Sequence, residues 1–445
     1  LPVGLLDDSF ANLPGGLNDV NAFEQALIER IHSAAQELYV QAFAWLQQQW
    51  LEQNAARFAP VRHRTIRWLT PFGEIPLPVR VVRKRGATQG GYLTLSKVIF
   101  QPKATRLLSP ALEKAACEHA TELNYRPAST MLGRWIGASC SHWIMWRCVQ
   151  HHGQRLGEDL QRDWWPELPR QSPEKLVITE LDSAWLRQQP RLARSDPRHG
   201  KELPGGFFMH LGLHYTGRQR RYQKRGSTRV RLREKSLWFS TLPLNQFTPN
   251  WARQRRYHYP MATKGVVISD GDEGLERMRE QHFGEDTWLL DRWHVDDRLK
   301  WLLREFPDAL SQARQGLYRA DSEQILEAMA QVQEQLDPER LVQTFGYILG
   351  NREGIDALRD LPKGWRTGKG RREPLVKPSS GGAEKNIEVS INRRFKRQGR
   401  SWNAKRAGYL ANLRCLQRND FCAWTSWWKR NILRRTKIKP DHALA

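Results

Sequence analysis

Cysteine is scarce in this chain and has no pattern. Five occur in 445 residues, Cys117, Cys140, Cys148, Cys415 and Cys422, an odd number with no CxxC pair and no Cys/His spacing suited to a metal. That excludes a disulfide framework and a structural zinc site, and predicts reduced thiols in the core. No run of about 18 uninterrupted apolar residues exists, and no amphipathic segment carries its own anchor, so no membrane role is expected. No secretory signal opens the chain, which makes the cytoplasm, in association with the nucleoid, the expected compartment. The first residue is Leu1 and not Met, which predicts a trimmed or non-standard start. Negative charge is also short: 47 Asp/Glu stand against 71 Lys/Arg, for a net charge of +24 and a pI near 10.2. The imbalance calls for a polyanionic partner, and double-stranded DNA is the one expected.

What is present is ample for packed cores. The chain is 40% hydrophobic with 19 Trp, and its length suits two to four domains. An N-terminal helical region (1–60) precedes a β-hairpin unit (61–105), whose strand-like stretches at 65–82 and 91–95 flank a charged, glycine-bearing turn. Residues 106–157 return to three short helices, at 111–123, 126–135 and 141–154. That is either a helix-turn-helix DNA-binding domain or a plain helical bundle, since no side chain there is diagnostic of base reading. A polar linker (155–173) leads to strands at 176–182, 207–215, 230–241, 266–270 and 287–291, with a helix at 273–281. Three strands in a meander followed by helix-linked strands is the order that an RNase H-like mixed sheet needs. An all-α insertion and basic loop (296–377) separates this first part of the core (174–295) from the segment that completes it (378–415), and a basic tail (416–445) follows. The expected fold class is α+β and multidomain.

Three acids stand out on this frame. Asp182 closes the run KLVITELD, Asp270 closes GVVISD, and Glu384 opens a helix in SGGAEK. Carboxylates at the rim of a buried sheet are held on rigid backbone, which a pair of hard divalent cations requires. Two Mg²⁺ ions, with Mn²⁺ as substitute, are the expected cofactors, and no small-molecule cofactor is expected. Asp272 and Glu273 compete with Asp270, because acids at a helix start also complement its dipole. His294, in DRWH after the next strand, lies within reach of the same rim as cation or donor, or else only bonds its neighbouring helix. Glu180, two positions before Asp182, faces the same way as a supporting partner. The helix after Glu384 sets Ile387, Ile391 and Phe395 inward and offers Lys385, Arg393, Arg394, Lys396 and Arg397 to phosphate. A basic hairpin arm over 218–233 adds Arg220, Arg221, Lys224 and Arg225.

The chain resembles a known group through six blocks: TPFGE at 70–74, ITELD at 178–182, VISDG at 267–271, LLDRWH at 289–294, GAE at 382–384 and NRRFKRQGRSW at 392–402. These are similar to the ISLre2-type bacterial insertion-sequence transposases, the UPF0236 family, within the wider DDE enzymes. The resemblance implies an RNase H-like core with Asp182, Asp270 and Glu384 as metal-binding triad and His294 beside them. It also implies DNA cutting and joining by a homo-oligomer on DNA. Two blocks depart from the family pattern, ELDS replacing EADE and SDGD replacing GDGA, so Asp270 and Asp272 both stay open as the second ligand. The rival expectation is a sequence-specific DNA-binding protein without catalysis.

Overall fold

The computed structural model describes residues 20–100, 108–162, 175–189, 205–221, 229–367, 374–379, 381–397, 401–419 and 421–436. They form two units, one within Leu1–His152 and Thr425–Ala445, the other within Gly153–Trp424.

In the first unit a single helix, α1 (Val20–Gln53), lies on an antiparallel sheet of β1 (Phe58–Thr70), β2 (Gly73–Lys84) and β3 (Tyr92–Thr94). Helical spacing places Phe43, Gln47 and Leu51 on one buried stripe of α1. Phe43 joins Trp68, Ile75, Leu77 and Val79 in one core, and Leu51 joins Phe58, Val82 and Leu93 in another with α2 (Leu95–Ile99). Gln47 also closes an open strand edge: its Nε2 donates to the Pro78 carbonyl at 3.0 Å and its Oε1 accepts from Arg80 N at 2.6 Å. The TPFGE block is the β1–β2 turn. Thr70 Oγ1 donates to the Gly73 carbonyl and accepts from Phe72 N, and Gly73 takes φ +105°, open to glycine alone.

Three helices follow, α3 (Pro110–Glu122), α4 (Tyr125–Ile136) and α5 (His142–Gln161), each started or stopped by local chemistry. Ser109 caps α3 through Leu112 N with Pro110 at the first helical position, and α4 ends on left-handed Gly137. Inside this unit Glu113 and His152 pair at 2.7 Å with neither side chain exposed. α5 runs on to Gln161, so the expected linker starts later than position 155.

The second unit is built on a five-stranded sheet ordered β10-β9-β4-β5-β8. β4 (Leu176–Arg187), β5 (Gly206–Tyr215) and β8 (Ser236–Ser240) are an antiparallel meander. β9 (Lys264–Ser269) runs parallel to β4, and β10 (Thr287–Leu290) parallel to β9. The expected strand at 230–241 is broken. Its first half is β7 (Arg229–Leu232), which pairs with β6 (Arg218–Arg221) in a separate ribbon, and Glu234 at φ +46° turns the chain into β8. α6 (Leu244–His258) packs on the sheet so closely that a Cβ on Gly212 would enter the Trp251 ring. α7 (Glu273–Phe283) crosses over between the parallel strands.

The insertion comprises α8 (Arg292–Leu303), α9 (Pro307–Arg319), α10 (Ser322–Ala330), α11 (Pro338–Gly350), α12 (Arg352–Asp356) and α13 (Lys363–Arg366). Its core of Val295, Leu299, Ala313, Ile325, Met329 and Ile348 includes Trp288 and Leu290 of β10, which seats the helices on the edge of the sheet. After α14 (Gly381–Asn386) the chain widens into π-helical turns over Ile387–Lys396, whose inner face is the expected Ile387, Ile391 and Phe395. Arg414, in α15 (Ala404–Asn419), is buried and donates to the carbonyls of Ser390 at 2.7 Å and Val389 at 3.0 Å. α15 also covers the edge of β8. Asn419 bonds both the amide and the carbonyl of Leu237, and Cys415 Sγ accepts from Phe239 N.

Of the basic tail expected over 416–445, residues 416–419 and 421–436 are helical, in α15 and α16 (Phe421–Thr436), because Trp424, Trp427 and Trp428 fall at helical spacing and are buried; 437–445 lie outside the described residues. None of the five cysteines is in a disulfide, as expected of reduced thiols, but Cys422 is exposed and not in the core. Among the described residues no helix is long and apolar enough to cross a membrane.

Candidate active site

Where β4 leaves β9, two aspartates come level. The parallel pairing ends at Glu180↔Ile268, so Asp182 and Asp270 each lie two residues beyond the last pair on adjacent strands. Asp182 does not close its strand, as the sequence suggested. β4 continues to Arg187 because β5 still pairs on its other side, with Asp182 opposite Leu211. The carboxylate is thus held by an unbroken ladder at a point where one neighbouring strand has stopped. It is half-buried, and its pKa is pushed up to about 6, first by burial and then by the charges of Asp270 and Glu384. The amide of Ser183 and the charge of His294 oppose the rise.

Asp270 and Asp272 differ in what they hold. Asp272 caps α7, accepting from Gly274 N at 2.9 Å and Leu275 N at 3.2 Å. Asp270 acts electrostatically on both Asp182 and His294. Between them Gly271 takes φ +79°, and a Cβ there would collide with Asn351 Oδ1. Tyr347 Oη donates to the Asp270 carbonyl at 2.8 Å, and Asn351 Nδ2 bonds the Tyr347 carbonyl at 2.7 Å. The helical insertion therefore braces the Asp270 turn.

His294 sits in the first turn of α8, where buried Asp291 accepts from Trp293 N at 2.9 Å and meets His294 Nδ1 at 3.0 Å. The bond to Asp291 raises the imidazole pKa, burial opposes it, and Asp291, Asp270 and Asp182 raise it further by charge. With Nδ1 engaged, Nε2 is the ring nitrogen left to act outward.

Glu384 is exposed on α14, and its charge reaches Asp182. Beside it, Lys235 Nζ donates to Asn386 Oδ1 at 3.1 Å, and the pKa of Lys235 is lowered by burial and then by Arg418, Lys385 and Arg231. Cations are therefore crowded around Lys235, and such crowding attracts an anion.

Glu180, reached by the sequence reading only as a supporting partner, is fully buried, and burial pushes its pKa up to about 7. Tyr215 Oη donates to its Oε1 at 2.6 Å and Ala383 N to its Oε2 at 2.5 Å. Tyr215, Tyr347 and Asn351 were missed. No local pattern marks them, since Tyr215 and Tyr347 act through partners 35 and 77 positions away, and Asn351 supports Tyr347.

The expected phosphate-binding side chains divide. Lys385, Arg393, Lys396 and Arg397 are exposed, with Arg393 and Arg397 both facing Glu388. Arg394 is not a surface cation: it is 1% exposed, and its guanidinium lies 5.2 Å from the Trp402 ring centroid, because the wide turns carry it to the inner face. Arg220 and Arg221 lie in β6, where only the backbone is described, and Lys224 and Arg225 lie outside the described residues. Among the described residues no three His, Cys, Asp or Glu side chains stand close enough to cage an ion unaided.

The family described as "Uncharacterised protein family (UPF0236)" matches residues 16–428, a span containing all four rim residues. The chain belongs to this family. UPF0236 is the family of the ISLre2-type transposases that the sequence blocks resemble. No curated protein matches this UPF0236 chain. Among solved structures, the Drosophila P element transposase strand transfer complex aligns over 74% of this chain and 81% of its own at 10% identity. Its TM-score is 0.26, too low to carry an argument.

Proposed function

We propose that this UPF0236 member is a DDE transposase, which cuts the ends of an insertion sequence and joins the freed 3′-OH to target DNA. One observation carries the reading: Asp182 and Asp270 come level on adjacent strands just where their pairing ends, and His294 and Glu384, from two other segments, both act on Asp182 by charge. The sheet supports it, since an antiparallel meander followed by two parallel strands is the strand order of an RNase H-like core.

The donor set fits hard divalent cations. It offers carboxylate oxygens only, and Asp182 carries like-charge crowding that a cation relieves. Among the described residues no ready cage stands; Mg²⁺ keeps several waters and is completed by one or two carboxylates plus substrate phosphate. Two such ions would activate the attacking oxygen and stabilise the leaving oxygen of an in-line displacement. Asp182, Asp270 and Glu384 would be the residues that hold them. Asp272, engaged as a helix cap, is left out of the set. His294, held by Asp291, offers Nε2 to the scissile phosphate or the leaving oxygen. Lys385 and Lys396 face the DNA backbone together with the Lys235 cluster. Two ends must be joined, so the working form is a dimer or larger assembly on DNA.

The rival, a DNA-binding protein without catalysis, draws on the same lack of a preformed cage. Incubating wild type, Asp182→Asn, Asp270→Asn and Glu384→Gln with labelled DNA carrying the flanking element ends, in Mg²⁺ or Mn²⁺, separates them. Cleavage and joining lost in all three variants, with binding intact, supports the transposase. Tight binding of the ends by wild type without any cutting overturns it.

A further inference from the structure

Glu384 has the least backbone support of the rim acids. α14 is six residues long and lies in no sheet ladder. Its first turn nevertheless meets β4 at one side chain. Both oxygens of Glu180 are committed, one to Tyr215 Oη at 2.6 Å and the other to Ala383 N at 2.5 Å, with the residue 0% exposed. Helix-start amides have no partner within the helix, and an anion there is favourable, so the contact satisfies a donor that would otherwise be stranded in the interior. The approach depends on Gly382. A Cβ at that position would lie 2.7 Å from each carboxylate oxygen, closer than real Cβ atoms come. Glu180 and Asp182 project from the same face of β4, one pleat apart, and Ala383 precedes Glu384. A leucine at position 180 would fill the space without the desolvation of a buried carboxylate, but it could not hold the amide.

We propose that Glu180 is the positioning residue of Glu384: braced by Tyr215 and admitted by Gly382, it ties the first turn of α14 to the strand that carries Asp182 and so sets the spacing of those two acids. The assignment rests on the transposase reading, and its test separates the two. The full chain is compared with Glu180→Leu, which fills the space but offers the Ala383 N–H no acceptor, and with Gly382→Ala. The measurements are kcat and KM on labelled end DNA and hydrogen exchange along the chain. The expected result is a fall in kcat of about 10²-fold, the scale of a roughly 1 Å misplacement, with KM for DNA unchanged. Exchange over 381–386 is expected to quicken while β4 and β9 keep wild-type protection, which general unfolding would not allow. Wild-type kcat in Glu180→Leu, or unaltered exchange over 381–386, overturns the proposal. Wild-type protection of β4 and β9 shows that Glu180→Leu has folded, and that variant decides the matter even where Gly382→Ala does not fold. If wild type itself cuts no DNA, the transposase reading fails, and the exchange measurement alone decides whether Glu180 holds the helix.

Discussion

The two sides of the rim are built differently. Asp182 and Asp270 stand on or just beyond β-strands, fixed by ladders on rigid neighbours and half-buried. Glu384 comes from a short helix more than a hundred positions later, is exposed, and is tied to the sheet through one carboxylate. A ladder distributes restraint over many backbone bonds, whereas a side-chain tie concentrates it in a few. The sheet side therefore bears electrostatic stress that its scaffold can tolerate, and the helix side carries a charge near solvent whose placement hangs on few contacts.

The sharpest way to break this comparison is to neutralise each side. Asp182→Asn and Asp270→Asn are expected to lower DNA cleavage by about 10²–10³-fold, as removal of one electrostatic stabiliser does, and gel analysis of labelled ends reads this directly. If Glu384→Gln cuts at the wild-type rate, the helix side is no part of the site.

Next in size is Arg394, which separates burial from surface charge on the helix side. Arg394→Ala is expected to lower stability by on the order of 3 kcal/mol in urea unfolding, through lost packing on Trp402 and a vacated interior. The salt dependence of DNA binding should not move.

Stability against pH tests the sheet side without DNA. The pKa of Asp182 is raised in the folded state to about 6 from an ordinary 3.8. Between those values the folded chain binds more protons than the unfolded one, so this group lowers stability as pH rises through the window and the loss is complete above it. Asp182→Asn lacks that loss. Relative to wild type it is expected to gain on the order of 2 kcal/mol in going from pH 4 to pH 8, read by thermal melts without added metal.

Smaller effects refine the picture. Tyr347→Phe removes the bond to the Asp270 carbonyl and is expected to cost about 1 kcal/mol of stability. A loss of cleavage beyond that stability change would show that the insertion holds the Asp270 turn in its working geometry. Lys385→Ala and Lys396→Ala should each reduce the slope of log K against log salt by about 1, with no change in melting.

Much of this was legible in the chain. Apolar periodicity marked α1, α3, α4 and the sheet strands of the second unit, and the runs before Asp182 and Asp270 gave two rim positions, because strand and helix periods are written locally. The inward set of Ile387, Ile391 and Phe395 followed from spacing alone, although the π-helical winding did not, and with it the burial of Arg394. The tryptophans of α16 were masked by the surrounding Lys and Arg, so composition outweighed spacing and a helix was read as a tail.

The sequence by itself determined the charge, many of the helices and strands, and which acids stand as candidates, since each depends on a residue and its near neighbours. The tertiary structure alone decided that Asp182 lies inside β4 and beyond the end of β9, and that Glu180 reaches Ala383. Those facts join positions up to 203 apart, and no local pattern encodes a contact that exists only once two distant segments are packed together.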